Sequence, residues 1–284
     1  MDSSWLLHIL NLLYELATLG LTTLGLAVVF GLLGVMNMAH GEFVMLGAYA
    51  VVTVQAWGWP LATAMPLALL VCASVGWVVE RWLIRPLYAR PFDTLLATWA
   101  LAILLRKIVE AVFGRDYRNI ESNLATPTDF LGVQYPAYRL FLLTLVAVLM
   151  IGLALWYRRS SMGLRVRAMT GNPALAQALG INTTRLASQT FVVGVMLAGA
   201  SGVLLAPLVR IEPGIGVDYL LDSFFALVVG GLGTLSGFAG GVSIIGGTQS
   251  VLSALIDQTS GYAVVLILSI LFLWLKPNGI FGRN

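Results

Sequence analysis

Long apolar stretches separated by short polar ones run along almost the whole chain. A helix needs roughly 20 apolar residues to cross a bilayer. On that ruler the pattern predicts spans over residues 12–34, 37–57, 61–84, 93–113, 138–157, 187–210, 219–233, 238–256 and 261–276. They are read as helices because a helix pairs its backbone N–H and C=O groups within one segment, as hydrocarbon requires. Segment 219–233 is short, about 22 Å for its 15 residues. A broken or re-entrant helix within 219–256 therefore stands beside two full crossings. The predicted fold class is an all-α integral membrane protein: a polytopic bundle of 8–9 transmembrane helices forming a single domain over residues 1–284.

Composition excludes the soluble alternatives. Of the 284 residues, 59% are hydrophobic and only 10% are charged, where soluble proteins carry about 25% charged residues. So apolar a chain cannot hide its side chains in one globular core, and it is equally unlike a disordered one. The net charge of +3 rests on 16 basic residues lying mostly between the apolar runs. No basic block alternates with aromatics, so nucleic acid is not an expected partner. The arginines instead orient the chain. Arg81, Arg85 and Arg90 follow the third span, and Arg158, Arg159, Arg165, Arg167 and Arg185 follow the fifth. Basic loops stay in the cytoplasm, so the N-terminus is expected outside and the C-terminus, with Lys276 and Arg283, on the cytoplasmic side. The start of the chain lacks a basic n-region, so its first apolar segment is expected to remain as a span. The lone Cys72 rules out an intrachain disulfide and a cysteine-ligated metal. Residues 114–137 form the one sizeable external loop.

The cytoplasmic loop 158–186 contains a local helix signal. Asn172 is a favoured N-cap, Pro173 suits the first helical position and Gly180 supplies a left-handed C′ residue. Between them lie about two turns, too few to stand alone in water. Ala174, Leu175, Ala178 and Leu179 make a small apolar face. That face either folds back on the chain's own helix ends or enters a groove on another protein.

Inside the spans, polar residues are the candidates for a translocation path. Asn37, His40 and Glu42 in NMAHGEF either line that path or serve locally, Asn37 as a helix cap and Glu42 against the helix dipole. Arg106 and Glu110 lie one turn apart, able to pair, and Arg106 is placed to snorkel outward. Asp222 precedes the glycines Gly230, Gly231, Gly233 and Gly237. Such glycines permit close helix packing, or break a helix at membrane depth and bare backbone groups to a polar solute. Gly199-Ala200-Ser201-Gly202 has the look of an intramembrane serine protease motif. A general base should then follow the serine, yet His8 and His40 both precede it, so packing is the expected role. No catalytic or metal-binding residue is assigned.

The short helix of the cytoplasmic loop resembles the coupling segment of ABC-importer permeases, without its usual glutamate. GLLGVMNMAHGEFVMLGAYA and DYLLDSFFALVVGGLGTLSG are similar to motifs of the permeases for branched-chain amino acids and urea. RPFDTLLATW, YRLFLL and LLDSFFALVVGGLG look closest to the urea and short-amide branch. The resemblance runs from about residue 20 to the end. It implies a permease subunit with a second homologous permease, two cytoplasmic ATPases that hold ATP and Mg, and an extracytoplasmic solute-binding protein. The chain has no G-x-x-x-x-G-K-[ST] loop to hold nucleotide phosphates and needs no cofactor of its own for this role. The expectation is an importer of urea or short amides. A branched-chain amino acid importer is the first alternative, and a self-sufficient channel or secondary carrier is the second.

Overall fold

The computed structural model describes residues 3–88, 90–120, 126–231, 234–276 and 279–280. Eleven α-helices follow in chain order: α1 Ser3–Leu33, α2 His40–Ala56, α3 Ala64–Val79, α4 Pro91–Phe113, α5 Ala137–Arg159, α6 Ser161–Gly171, α7 Pro173–Ala178, α8 Thr183–Leu205, α9 Ile215–Gly230, α10 Leu235–Leu255 and α11 Gln258–Leu275. A hairpin of β1 Pro127–Phe130 and β2 Val133–Pro136 lies in the loop before α5. Among the described residues, five helical segments are long and apolar enough to cross a membrane by length and composition alone. The chain is thus a multi-span membrane helical bundle.

Two compact units share the chain, the larger made of residues 24–120 and 152–221. Its core lies where α2 crosses α8. A Cβ on Gly47 would strike the Gly199 carbonyl, and one on Gly202 would strike the Val44 carbonyl. Lipid provides no hydrophobic drive between helices, so association depends on close contact, which small residues permit. Phe43, Cys72, Ala102, Phe191 and Val195 pack on one side of the crossing, and Met45, Val54, Ala64 and Ile211 on the other. Ser201 fits the same purpose: its buried hydroxyl donates to the Ala198 carbonyl at 2.7 Å. At its C-terminal end α3 widens into a π-helical turn, Glu80–Ile84.

The second unit comprises residues 1–23, 121–151 and 222–284. Buried Tyr135 of β2 donates to the Leu10 carbonyl and to Asn11 Oδ1, both at 3.3 Å, tying the hairpin to α1. Burial pushes its phenol above the ordinary value, with Arg139 acting in the opposite direction. The stretch 219–256 resolves into α9 and α10, turned at Gly231, whose φ of 106° favours glycine. A Cβ on Gly230 would strike the Gly237 carbonyl, and one on Gly241 the Ala226 carbonyl, so the glycines here bring two backbones together.

The spans differ from the hydropathy reading chiefly at the start. The first helix begins at Ser3, not residue 12, and the second begins at His40, not 37, running only 17 residues. The loop 158–186 is also more structured than its sequence implied, because α6, Ser161–Gly171, precedes the short helix in it. Ser160 caps α6 by accepting from the Gly163 amide at 2.9 Å. Its inner face, Val166 and Met169, packs with Leu186.

Candidate translocation site and coupling segment

Between α1 and α2 the backbone leaves the helix at residues 34–39. The Met38 amide donates to Thr98 Oγ1 at 3.1 Å, and that hydroxyl donates to the Met36 carbonyl at 3.3 Å. Thr98 is the eighth residue of α4, about 11 Å along it. The irregular segment therefore lies beside the interior of a long helix and not beside its end. Non-helical backbone at that depth is tolerated only when protein covers it or it lines a cavity. Here Val35, Asn37 and Ala39 are buried.

α2 starts from this depth. Asn37 does not cap it: the N-cap is Ala39, with no side-chain bond, and Asn37 Oδ1 instead closes a turn on the Ala39 amide at 3.1 Å. Glu42, in the first turn of α2, accepts a close ion-pair hydrogen bond from Arg106 Nη2. The Arg106 side chain is 28% exposed and that of Glu42 only 3%. Asn37 Nδ2, Glu42 Oε2 and Arg106 Nε have no hydrogen-bond partner among the described residues. His40 is fully buried, its Cε1 lying against Gly25 of α1. Further along, Tyr49 of α2 and Phe113 of α4 bring their ring centroids to 4.8 Å, so the two helices run side by side in the same direction. Gly41 faces Gly216 of α9 so closely that a Cβ on either would strike the other's carbonyl.

The pairing expected within α4 is therefore absent. Glu110 accepts from Lys107 at 2.7 Å and from Arg115 at 3.2 Å, and Arg106 reaches back to Glu42 instead of snorkelling outward. The reason is tertiary: the break after Leu33 sets the first turn of α2 level with Arg106, and an ion pair in reach outweighs a stretched side chain. Sequence reasoning also missed Thr98, whose only signal was a hydroxyl in an apolar run. Asp222, Gly230 and Gly231 belong to the smaller unit, Asp222 half-buried on α9 and the two glycines in the α9–α10 turn. Gly233 lies outside the described residues.

The coupling-segment candidates form the helix that their capping residues predicted. Asn172 Oδ1 accepts from the Leu175 amide at 3.0 Å, Pro173 opens α7, and Gly180 follows with φ 82°. The Gly180 amide donates to Gln177 and the Ile181 amide to Ala176, closing a Schellman motif. The inward residue is Ala176, 2% exposed, whereas Leu175 and Leu179 are 57% and 72% exposed. Ala174 and Ala178 are exposed with them, so the apolar face does not fold back on the chain.

One more group joins this region to the rest of its unit. Glu80, in the π-helical turn, is fully buried and accepts from Ser188 Oγ of α8 at 2.7 Å, Tyr88 at 3.2 Å and Arg85 at 3.4 Å. Burial and the neighbouring Glu80 charge push the Tyr88 phenol far above its ordinary range, which keeps it a donor. Glu80 was legible only as an acidic residue ending an apolar run.

Comparison with known proteins places the chain. It is 31% identical over 307 aligned positions, covering 99% of this chain and 98% of the relative, to the high-affinity branched-chain amino acid transport system permease protein LivH of Escherichia coli K12. To the corresponding protein BraD of Pseudomonas aeruginosa it is 28% identical, covering 98% of this chain and 96% of the relative. To the permease LivM of Salmonella typhimurium it is 27% identical, covering 64% of this chain and 48% of the relative. No solved structure matches it. The family described as branched-chain amino acid transport system / permease component matches residues 8–275, nearly the whole chain. The chain therefore belongs to the branched-chain amino acid transport permease family, and as a member of it is a transport subunit without its own catalytic site.

Proposed function

We propose that the chain is the membrane permease of an ATP-driven importer of branched-chain amino acids. Full-length similarity to permeases named for those solutes carries this reading. It replaces the urea and short-amide assignment that the short motifs pointed to. A buried, charge-paired polar cluster at membrane depth also suits a zwitterion better than a neutral amide, which needs no ion pair.

In this reading energy enters from outside the chain. Two ATPases dock on the cytoplasmic side, where Leu175 and Leu179 present apolar surface on a rigidly capped helix. A second permease, of the kind LivM exemplifies, completes the membrane part, and an extracytoplasmic binding protein delivers the solute. The arginine-bearing ends face the cytoplasm, with the N-terminus outside. The Glu80–Ser188 bond supports this, because it joins the two arginine-bearing regions at one end of the larger unit.

The test is uptake by the complete importer reconstituted in vesicles with its binding protein and ATP. Accumulation of labelled leucine that excess isoleucine or valine suppresses, and urea and acetamide do not, is the expected result. Uptake suppressed by urea or acetamide alone restores the amide reading. Uphill uptake by this chain without ATPases favours a self-sufficient carrier.

A further inference from the structure

Resting on that amino-acid reading, we propose that the Glu42–Arg106 pair is the site that takes the charged end of the permeating amino acid, its ammonium on Glu42 and its carboxylate on Arg106. The pair sits where α2 begins beside the interior of α4, with the non-helical residues 34–39 next to it. Three polar atoms there are left unmet among the described residues: the acceptor Glu42 Oε2 and the donors Asn37 Nδ2 and Arg106 Nε. Glu42 and Asn37 are both more than nine-tenths buried. A buried donor and a buried acceptor without partners in one region are what a ligand carrying both functions satisfies.

The charge arithmetic selects the ligand. A carboxylate and a guanidinium in contact are neutral as a pair, so a lone cation or anion must break the pair to bind and leaves one charge unmet. A zwitterion lies head to tail against the pair and hands each charge a new partner. No net charge is created in a medium where unpaired charge is costly. Arg106 presents its planar fork to a carboxylate in two-pronged fashion. Of the pair, Arg106 is the outer half: its side chain is 28% exposed against 3% for Glu42.

A structural staple and a substrate site respond differently to neutralisation. Replacing a buried ion pair by apolar or neutral groups of similar size is often harmless to a fold. In the complete importer, E42Q/R106M is therefore expected to assemble with the second permease and ATPases, yet to take up leucine at least about tenfold more slowly. Leucine uptake within about twofold of wild type overturns the proposal. Should the double variant fail to assemble, R106K decides: it keeps the charge pair but loses the fork, and uptake is expected to fall about tenfold. R106K uptake near wild type overturns the proposal equally. The wild-type complex run alongside separates the two readings: if it moves no leucine the transport assignment fails, and if it moves leucine while the variants do too, only the site fails.

Discussion

The carboxylate of Glu80 and the hydroxyl of Ser188, 108 positions apart in sequence, meet at 2.7 Å with Glu80 fully buried. Ser188 lies in the second turn of α8, whose first turn holds Thr183, the acceptor of a 2.7 Å bond from Gln177 of α7. A continuous path of bonded groups thus leads from the exposed knob through α8 to the π-helical end of α3. Glu80→Leu leaves three donors without their acceptor and is expected to cost about 3–5 kcal/mol, seen as loss of folded protein in detergent. Ser188→Ala removes one charge-assisted bond, worth about 1.5–3 kcal/mol. A melting temperature unchanged in Ser188→Ala contradicts the bond's contribution.

Leu179→Asp places a charge on the residue that caps the C-terminal end of α7, whose side chain is largely exposed. Membrane insertion and melting temperature should stay as in wild type, while ATPase co-purification and uptake are lost. Full co-purification means that the ATPases hold the permease elsewhere.

Gly47→Val inserts a branched side chain where a single Cβ already meets the Gly199 carbonyl. Overpacking of this kind costs about 1–3 kcal/mol, more when backbone is struck. The expected outcome is a clear fall in thermal stability of the purified permease. The same substitution at Gly247, where a Cβ meets nothing, serves as the control and should leave stability near wild type.

Tyr135→Phe deletes a buried hydroxyl that holds β2 against Leu10 and Asn11. Both bonds are long, at 3.3 Å, so the expected loss is about 1 kcal/mol. Faster proteolytic cleavage of the loop before α5, with transport retained, is the outcome to look for. Unchanged cleavage shows that the hairpin is held by its other contacts.

Some features were legible before any coordinates. The apolar runs predicted the helices because a bilayer imposes length and hydropathy on each span separately. The knob at 172–180 was legible too, since Asn172, Pro173 and Gly180 act only on backbone within a few residues of themselves. What the knob's face does was open in the sequence. Outward exposure of Leu175 and Leu179 depends on how α6 packs, and α6 itself escaped notice because its apolar residues are sparse.

The candidate site was half legible. Asn37, His40 and Glu42 stood out as polar residues in an apolar chain, and Arg106 as a charge in a span. Their grouping did not follow, because hydropathy separates the spans at 35–36 but says nothing of the depth at which α2 starts beside α4.

From its sequence alone this protein is a membrane-embedded helical permease with a short capped helix at 172–180 and no nucleotide loop, because hydropathy, capping and motif spacing act within a single segment. Only the tertiary structure decided that Glu42 meets Arg106, 64 positions away, and that Glu80 meets Ser188. The physical reason is that side chains on different helices become neighbours through the depth at which each helix starts and the point where backbones cross, and at Gly47 and Gly199 that point is set by the absence of a Cβ.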